Sequence, residues 1–507
     1  MDPRRHGLAH DRHLRPLRGI ARIFGGRQHI STTHPEDPVT PPVTTVPYPA
    51  PVHTALAAAR SAQRPARNTR AGDRARQLRT AADALDAAAD TLIPVAQRET
   101  RLTEARLRGE LARTTFQARL FADRLEQGAF LDARIDHADA DWPMGPRPDI
   151  RRTHLPLGPV LVFAASNFPF AFSVFGGDTV SALAAGCPVV VKAHPGHPEL
   201  SVLTARTVTE ALTAAGAPQG LLSLVEGQEA GVAAVQDSRI KAVGFTGSTH
   251  GGRALFDLAA RRPDPIPFYG ELGSTNPVVV TPSGWRERGL EIAEGFADSY
   301  SLGSGQFCTQ PGVVFVPDAT DFAAAVPAVA PGPMLNERIH DAYRESLREL
   351  SSRPDVGTAA RAEGRQDGPE AVLLRTDAQA VLADPSLIST EVFGPATLLV
   401  EYESLDEVVR VLDASGGSLT GSVHGGEAPD ADALTLLDAL AERVGRVLWN
   451  EWPTGVTVSD AQQHGGPWPA TTAPTTTSVG TAAIHRFLRP VAYQNVPVAG
   501  LPAELRY

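Results

Sequence analysis

From Gly158 onward the chain alternates short, wholly apolar runs with helical stretches, and this rhythm constrains its fold more than anything else in it. Val160–Ala164, Val189–Lys192, Leu221–Val225, Ala242–Phe245 and Ile266–Glu271 read as strands. Phe172–Ala185, Glu199–Ala215 and Gln228–Gln236 read as the helices between them, and Thr246-Gly247-Ser248 opens one more. Strands with no polar side must be buried on both faces, which calls for a parallel sheet covered by helices. Ligands of such sheets sit beyond the carboxyl ends of the strands. Asn167, Lys192, Ser248 and Glu271 all fall at or just past such ends.

A weaker α/β pattern continues over residues 277–450 through Val278–Val280, Leu290–Tyr300, Val313–Val316, Ala342–Leu350, Thr397–Tyr402 and Leu405–Leu412, with Arg446–Asn450 as a final strand. Upstream, Ala-rich helical patterns run through Ala55–Arg60, Arg74–Gln97 and Arg106–Glu126. A chain of 507 residues is too long for one ordinary core, so two domains with a small appendage are expected. The segment Asp149–Leu157 reads as an arm, and the tail from Thr476 to Pro497 as a segment able to pair with another subunit.

The N-terminus differs from the rest. Residues 1–30 carry seven arginines against two acids, and a Pro/Thr-rich stretch follows from Pro38 to Pro51. We read residues 1–47 as a disordered, dispensable extension rather than a targeting segment. The net charge of -10 argues against a general nucleic-acid binder, which needs a basic footprint. No apolar run approaches the ~18 residues of a membrane span. Two cysteines make no disulfide framework and fit a reducing cytoplasm. Cys187, in Gly186-Cys187-Pro188-Val189, reads as a small buried residue.

Cys308 is different, being set among small and polar residues in Gly303-Ser304-Gly305-Gln306-Phe307-Cys308-Thr309. Glu271 in Glu271-Leu272-Gly273-Ser274 offers a carboxylate, and Asn167 in Ala165-Ser166-Asn167-Phe168-Pro169 offers an amide. A thiol, a base and an amide donor are the parts needed for covalent chemistry on a carbonyl. Each residue alone has a bland reading, as turn former, cap or strand terminus. The glycine pattern from Gly303 follows a helix and ends in cysteine, so it is no dinucleotide fingerprint. Phe245-Thr246-Gly247-Ser248 instead supplies a glycine and a helix N-terminus for a phosphate.

In joint order these pieces, with Gly186-Cys187-Pro188-Val189-Val190-Val191-Lys192 and Glu391-Val392-Phe393-Gly394-Pro395, resemble the aldehyde dehydrogenase superfamily from about Val52 to Leu501. Phe170 to Thr179, Val191-Lys192-Ala193-His194-Pro195, His464-Gly465-Gly466-Pro467-Trp468 and Thr477-Ser478-Val479-Gly480 resemble its α-ketoglutaric semialdehyde dehydrogenase branch. The resemblance implies a Rossmann-type cofactor domain (48–137 and 156–275), an α/β catalytic domain (276–478) and an oligomerisation arm and tail (138–155 and 479–507). It also implies a homodimer or homotetramer.

By that resemblance Cys308 is the nucleophile, and Asn167 with the Cys308 backbone N–H holds the oxyanion. A hydride passes to a nicotinamide, and Glu271 activates the water that hydrolyses the thioester. Lys192 and Glu391 resemble the groups that hold the two riboses, and Phe393 the residue beside the nicotinamide. Ala165, His194, Gly227, Gly247, Ser248 and Leu272 complete the expected cofactor site, and no metal site is expected. Pro195 stands where strictly NAD-dependent relatives often carry a glutamate, which removes a repulsion against a 2′-phosphate and favours NADP over NAD. The implied substrate is a short carboxylated aldehyde, with Arg113 and Arg119 as candidate cations for its far end. The branch usually has an Asp-x-Arg element where this chain reads Ala473-Pro474-Thr475, a departure that bears on the substrate. Medium-chain or aromatic aldehydes, a non-redox thiol esterase and a catalytically silent relative are the competing readings.

Overall fold

The structure, a computed structural model, describes residues 49–506. The expectation for the N-terminal extension therefore lies outside the described residues. Three sheets organise what is described.

The first sheet has five parallel strands in the order Leu222–Val225, Val189–Lys192, Val160–Phe163, Ala242–Thr246, Phe268–Glu271. Its side chains alternate between two cores, as strands buried on both faces require. Val160, Val162, Val189 and Val191 pack with the N-terminal helices, including Leu78, Leu111 and Phe121. Leu161, Phe163, Val190 and Val243 point the other way, toward Leu56, Val235 and Phe268. The chain leaves the central strand first to one side and then to the other. A crevice opens at that switch, between the ends of Val160–Phe163 and Ala242–Thr246.

The second sheet has seven strands in the order Gly357–Ala362, Ala371–Asp377, Ala396–Glu401, Val313–Val316, Val278–Val280, Ser418–His424, Val444–Trp449. Only the first of these pairs antiparallel. The third sheet joins Arg134–Asp136, Ile150–Pro156 and Leu488–Gln494, all antiparallel. The arm and the tail thus pair with each other inside one chain, from Leu488 opposite Pro156 to Gln494 opposite Ile150.

Several boundaries differ from the sequence reading. The stretch Arg74–Gln97 is two helices, Ala71–Ala87 and Ala89–Thr100, with a break at Ala88. The helix expected from Phe172 begins only at Gly177. Before it, the Phe170 and Ala171 N–H groups donate to the buried Glu110 carboxylate, so that stretch is held as a loop. In the seven-stranded sheet, three strands fall outside the apolar runs read from the sequence: Gly357–Ala362, Ala371–Asp377 and Ser418–His424. The last is buried along its whole length yet carries Ser418, Thr420, Ser422 and His424 on alternate positions. Its polar side conceals it from a search for apolar runs. Among the described residues no helix is long and apolar enough to cross a membrane.

Candidate active site

The five-stranded sheet delivers its functional side chains at one edge. Lys192 and Glu271 are the last residues of their strands, Asn167 follows the central strand, and Gly247 and Ser248 follow Ala242–Thr246. Cys308 comes from the other sheet's half. The helix Pro282–Ser301 ends, and Gly303, Ser304 and Gly305 then take left-handed backbone angles with φ of 56°, 58° and 68°. This reversal turns the chain back toward the crevice. A Cβ on Gly305 would collide with the Gly394 backbone, so glycine permits the close approach of the Cys308 loop to the loop bearing Glu391 and Phe393.

The Cys308 thiol sits where two cavities meet. The smaller, about 360 Å³, is lined by Ala165, Asn167, Lys192, His194, Gly247, Ser248, Glu271, Leu272, Glu391 and Phe393. These are the expected site residues apart from Gly227, which lies at the adjoining end beside Lys192, His194 and Arg338. The larger cavity, about 690 Å³, is lined by Phe168, Phe172, Phe307, Val456, His464 and a set of arginines, Arg101, Arg106, Arg113 and Arg365.

The local geometry around the thiol is tight. Glu271 is 2% exposed, and its Oε2 accepts from the Ser478 hydroxyl at 2.7 Å. Its Oε1 lies 2.9 Å from His464 Nε2, and the same nitrogen lies 3.5 Å from Cys308 Sγ. Burial works against a charged Glu271, but His464, Ser478 and the thiol together hold its carboxyl below the ordinary range. Burial, and then the Glu271 carboxylate, push the Cys308 thiol well up. The carboxylate, thiol and imidazole donor atoms lie within 4.8 Å of one another, a spacing that could also hold a metal ion. The Asn167 amide donates at 3.0 Å to the carbonyl of Gln306, two residues before Cys308.

The smaller cavity fits an extended dinucleotide. Gly247 packs under the Phe245 ring, where a Cβ would come within 2.9 Å of a ring carbon, and a Cβ on Gly273 would strike the Glu391 carboxylate. Bare backbone therefore faces the groove at both turns. Ser248 caps the helix Thr249–Ala260 and accepts from Gly251 N–H at 3.3 Å. Burial, then His197, Lys192 and Arg338, press His194 down to about 3, so it is a neutral imidazole, accepting from Gly196 N–H. Burial also lowers Lys192, with Arg338 adding to it. Glu391 faces the groove, and its enclosure raises it to about 7.

Of the two candidate arginines, one is displaced. Arg119 lies away from both cavities and is paired with Asp83 and Asp86 at 2.6 Å each, so it is a surface ion-pair residue. Arg113 lines the larger cavity with Cys308, and its Nη1 is buried with no hydrogen-bond partner among the described residues. Cys187 is fully buried, with Sγ 3.5 Å from the Phe487 carbonyl, as its apolar setting implied. In the sequence, His464 and Ser478 stand only within the motifs that carry the resemblance, and nothing local marks them as functional. Their place beside Glu271 comes from chain reversals some 200 residues downstream. Arg338, from the helix Glu337–Ser351, was likewise not anticipated in the cofactor groove.

A model of the aldehyde dehydrogenase family matches residues 31–468. The α-ketoglutaric semialdehyde dehydrogenase 2 of Azospirillum brasilense is 46% identical over 485 residues, covering 93% of this chain and 91% of that one. The α-ketoglutaric semialdehyde dehydrogenase of Acinetobacter baylyi is 42% identical over 425 residues, 81% of this chain and 80% of that one. Among solved structures, a Thermus 1-pyrroline-5-carboxylate dehydrogenase with bound NAD superposes with a TM-score of 0.73 at 20% identity, over 87% of this chain and 85% of that one. A bifunctional proline utilization A protein superposes with a TM-score of 0.74 at 22% identity, over 89% of this chain and 45% of that one. These two likenesses speak to the fold.

Proposed function

This chain belongs to the aldehyde dehydrogenase family, and from that premise we propose that it oxidises α-ketoglutarate semialdehyde to 2-oxoglutarate, with NADP preferred over NAD. The observation that carries the substrate is Arg113. A guanidinium N–H buried without a partner, in the cavity that opens on the thiol, is an expensive arrangement until an anion completes it. Its burial lowers its pKa, with Glu110, Cys308 and Glu271 working the other way. A short aldehyde with a carboxylate at its far end meets the Arg113 guanidinium while its carbonyl reaches Cys308. The two relatives named for this substrate support the same choice. Phe168, Phe172 and Phe307 line the same cavity and favour a second reading, an aromatic or medium-chain aldehyde.

In the reaction, Cys308 Sγ attacks the aldehyde carbon. The Asn167 amide, released from the Gln306 carbonyl, and the Cys308 N–H stabilise the oxyanion, where one such donor contributes on the order of 10²–10³ in rate. The nicotinamide supplies the hydride acceptor when bound. Glu271 then takes a proton from water, which attacks the thioester and frees the acid. When the cofactor binds, Lys192 and Glu391 would hold its riboses, and Phe393 would lie beside its reactive ring.

For the cofactor, Lys192 and Arg338 bring two cations to the end of the groove against one acid, Glu226. With Pro195 there in place of a carboxylate, the site suits a 2′-phosphate. We place the protein in the cytoplasm, where free thiols at Cys187 and Cys308 persist, and as a homo-oligomer. The test is cofactor reduction with α-ketoglutarate semialdehyde beside a panel of plain aldehydes, each with NADP and NAD. The reading expects the semialdehyde and NADP to lead. Activity confined to plain aldehydes would select the second reading.

A further inference from the structure

Two charged side chains near the thiol have no part in the mechanism above, and both come from one helix. The helix Glu104–Gln127 starts at the Thr103 cap, whose hydroxyl accepts from Arg106 N–H at 3.3 Å. Arg106 and Glu110 share one face of it, four residues apart, and pair at 2.8 Å. The Glu110 side chain is fully buried. Its Oε1 accepts from the N–H groups of Phe170 and Ala171 at 2.8 and 2.9 Å, and its Oε2 accepts from Arg106. All three bonds are accepted by the carboxyl, the setting of an ionised carboxylate.

The Arg106 guanidinium also reaches the two reacting loops. It lies over the Phe168 ring, 4.5 Å from the centroid, and 5.2 Å from the centroid of Phe307. The two rings meet edge to face, with 5.3 Å between centroids and 89° between planes. Phe168 directly follows Asn167, and Phe307 directly precedes Cys308. Glu110 thus ties down the loop that carries the amide, and Arg106 packs on the chain neighbours of both amide and thiol. The loops also touch through the Asn167 amide and the Gln306 carbonyl. Arg113, two turns further along the helix, keeps an Nη1 with no partner among the described residues, whereas Arg106 is committed to Glu110.

We propose that Arg106 and Glu110 are positioning residues that hold the Asn167 loop against the Cys308 loop, so that the Asn167 amide and the Cys308 N–H meet at one oxygen. The proposal rests on the aldehyde-oxidising reading for that oxyanion. A buried ion pair is a weak source of net stability, because desolvation offsets its attraction. Here the pair fixes geometry, and a donor misplaced by about 1 Å can cost on the order of 10²-fold in rate.

The test is a double-mutant cycle between Arg106→Gln and Asn167→Ala in the full chain, read as the first-turnover rate of cofactor reduction at saturating aldehyde. Arg106→Gln should slow that step about 10–100-fold. Cofactor affinity, and alkylation of Cys308 by iodoacetamide, which forms no oxyanion, should change by less than about twofold. Cys187 is buried and stays silent in the labelling. In the Asn167→Ala background the same substitution should cost less than about threefold, because the donor it aims is gone. Arg106→Lys keeps a charge for Glu110 but not the flat guanidinium on the rings, and should recover part of the loss. Costs that multiply in full would overturn the proposal. So would alkylation that falls in step with turnover, which means general damage at the thiol. A loss confined to carboxylated aldehydes would make Arg106 a substrate contact and overturn it as well. If Arg106→Gln does not fold, Glu110→Gln, which keeps a carbonyl for the two N–H groups, completes the same cycle. Wild-type protein that oxidises no aldehyde would overturn the reaction assigned to the site together with the proposal, whereas full additivity in an active enzyme overturns the proposal alone.

Discussion

The two cavities that meet at Cys308 are built from different materials. The smaller is made of strand ends and the turns that follow them, with glycine backbone at Gly247 and Gly273 and a few fixed side chains. The larger is made of side chains that arrive from scattered places: Arg113 from a helix, Phe307 from the thiol loop, Val456 and His464 from loops late in the chain. A wall of backbone can change little without breaking the sheet beneath it, whereas a wall of side chains can be rewritten residue by residue. The first suits a ligand shared by many enzymes, and the second suits the ligand that tells them apart.

Substitution at the junction tests whether the two cavities serve one reaction. Glu271→Gln should cut steady-state turnover by on the order of 10²–10⁴ while leaving one rapid cofactor reduction per site. The smaller cavity and the thiol would still work in that variant, and only hydrolysis would stall. Rapid-mixing absorbance separates the burst from the steady state. A variant with no burst would mean that Glu271 is needed before the thioester forms.

On the side of the larger cavity, Arg113→Leu should lower kcat/KM for the carboxylated aldehyde about 10–100-fold, the worth of a hydrogen bond to a charged group. Plain aldehydes should change by less than about threefold, and parallel assays on both substrates give the ratio. An equal loss on both would make Arg113 a structural residue and leave the substrate reading without its main support. On the side of the smaller cavity, Arg338→Ala should weaken NADP about tenfold, within the range for a charge-assisted contact. NAD should be nearly unaffected, and titration calorimetry reads both. Equal losses would place Arg338 away from the 2′-phosphate.

The same contrast explains what the sequence disclosed. Asn167, Lys192, Gly247 and Glu271 could be found because an apolar strand announces its own carboxyl end, and position relative to that end is a sequence property. Cys308 stood out by its glycine-rich surroundings. His464 and Ser478 could not be assigned, because they lie on loops whose course is set by tertiary packing. Arg113 and Arg119 lie on the same helix, and only the packed structure separates them: one enters the cavity and the other meets Asp83 and Asp86. The strand Ser418–His424 was hidden for a related reason. Its polar residues are buried by partners the local pattern does not reveal, such as Asn276, which accepts from Thr420 N–H at 3.3 Å.

The smallest expected effect concerns pH and belongs to the smaller cavity alone. Enclosure raises Glu391 from its ordinary 4.5 to about 7, so the cofactor-free site holds a proton there at mildly acidic pH. A ribose hydroxyl donates to a carboxylate better than to a carboxylic acid, so cofactor binding should favour the ionised form and release the proton. Affinity should therefore rise as pH climbs toward about 7 and level off above it. The sign is opposite for the stability of the cofactor-free protein. A carboxyl raised by folding stabilises the fold fully below its ordinary value of 4.5, and that contribution is lost as pH rises through about 7. Glu391→Gln should flatten both slopes together while leaving the aldehyde preference of the larger cavity unchanged. Cofactor titrations and melting curves at a series of pH values measure the two slopes. If only the melting slope flattened, Glu391 would be a buried carboxyl of the groove wall rather than a ligand of the ribose.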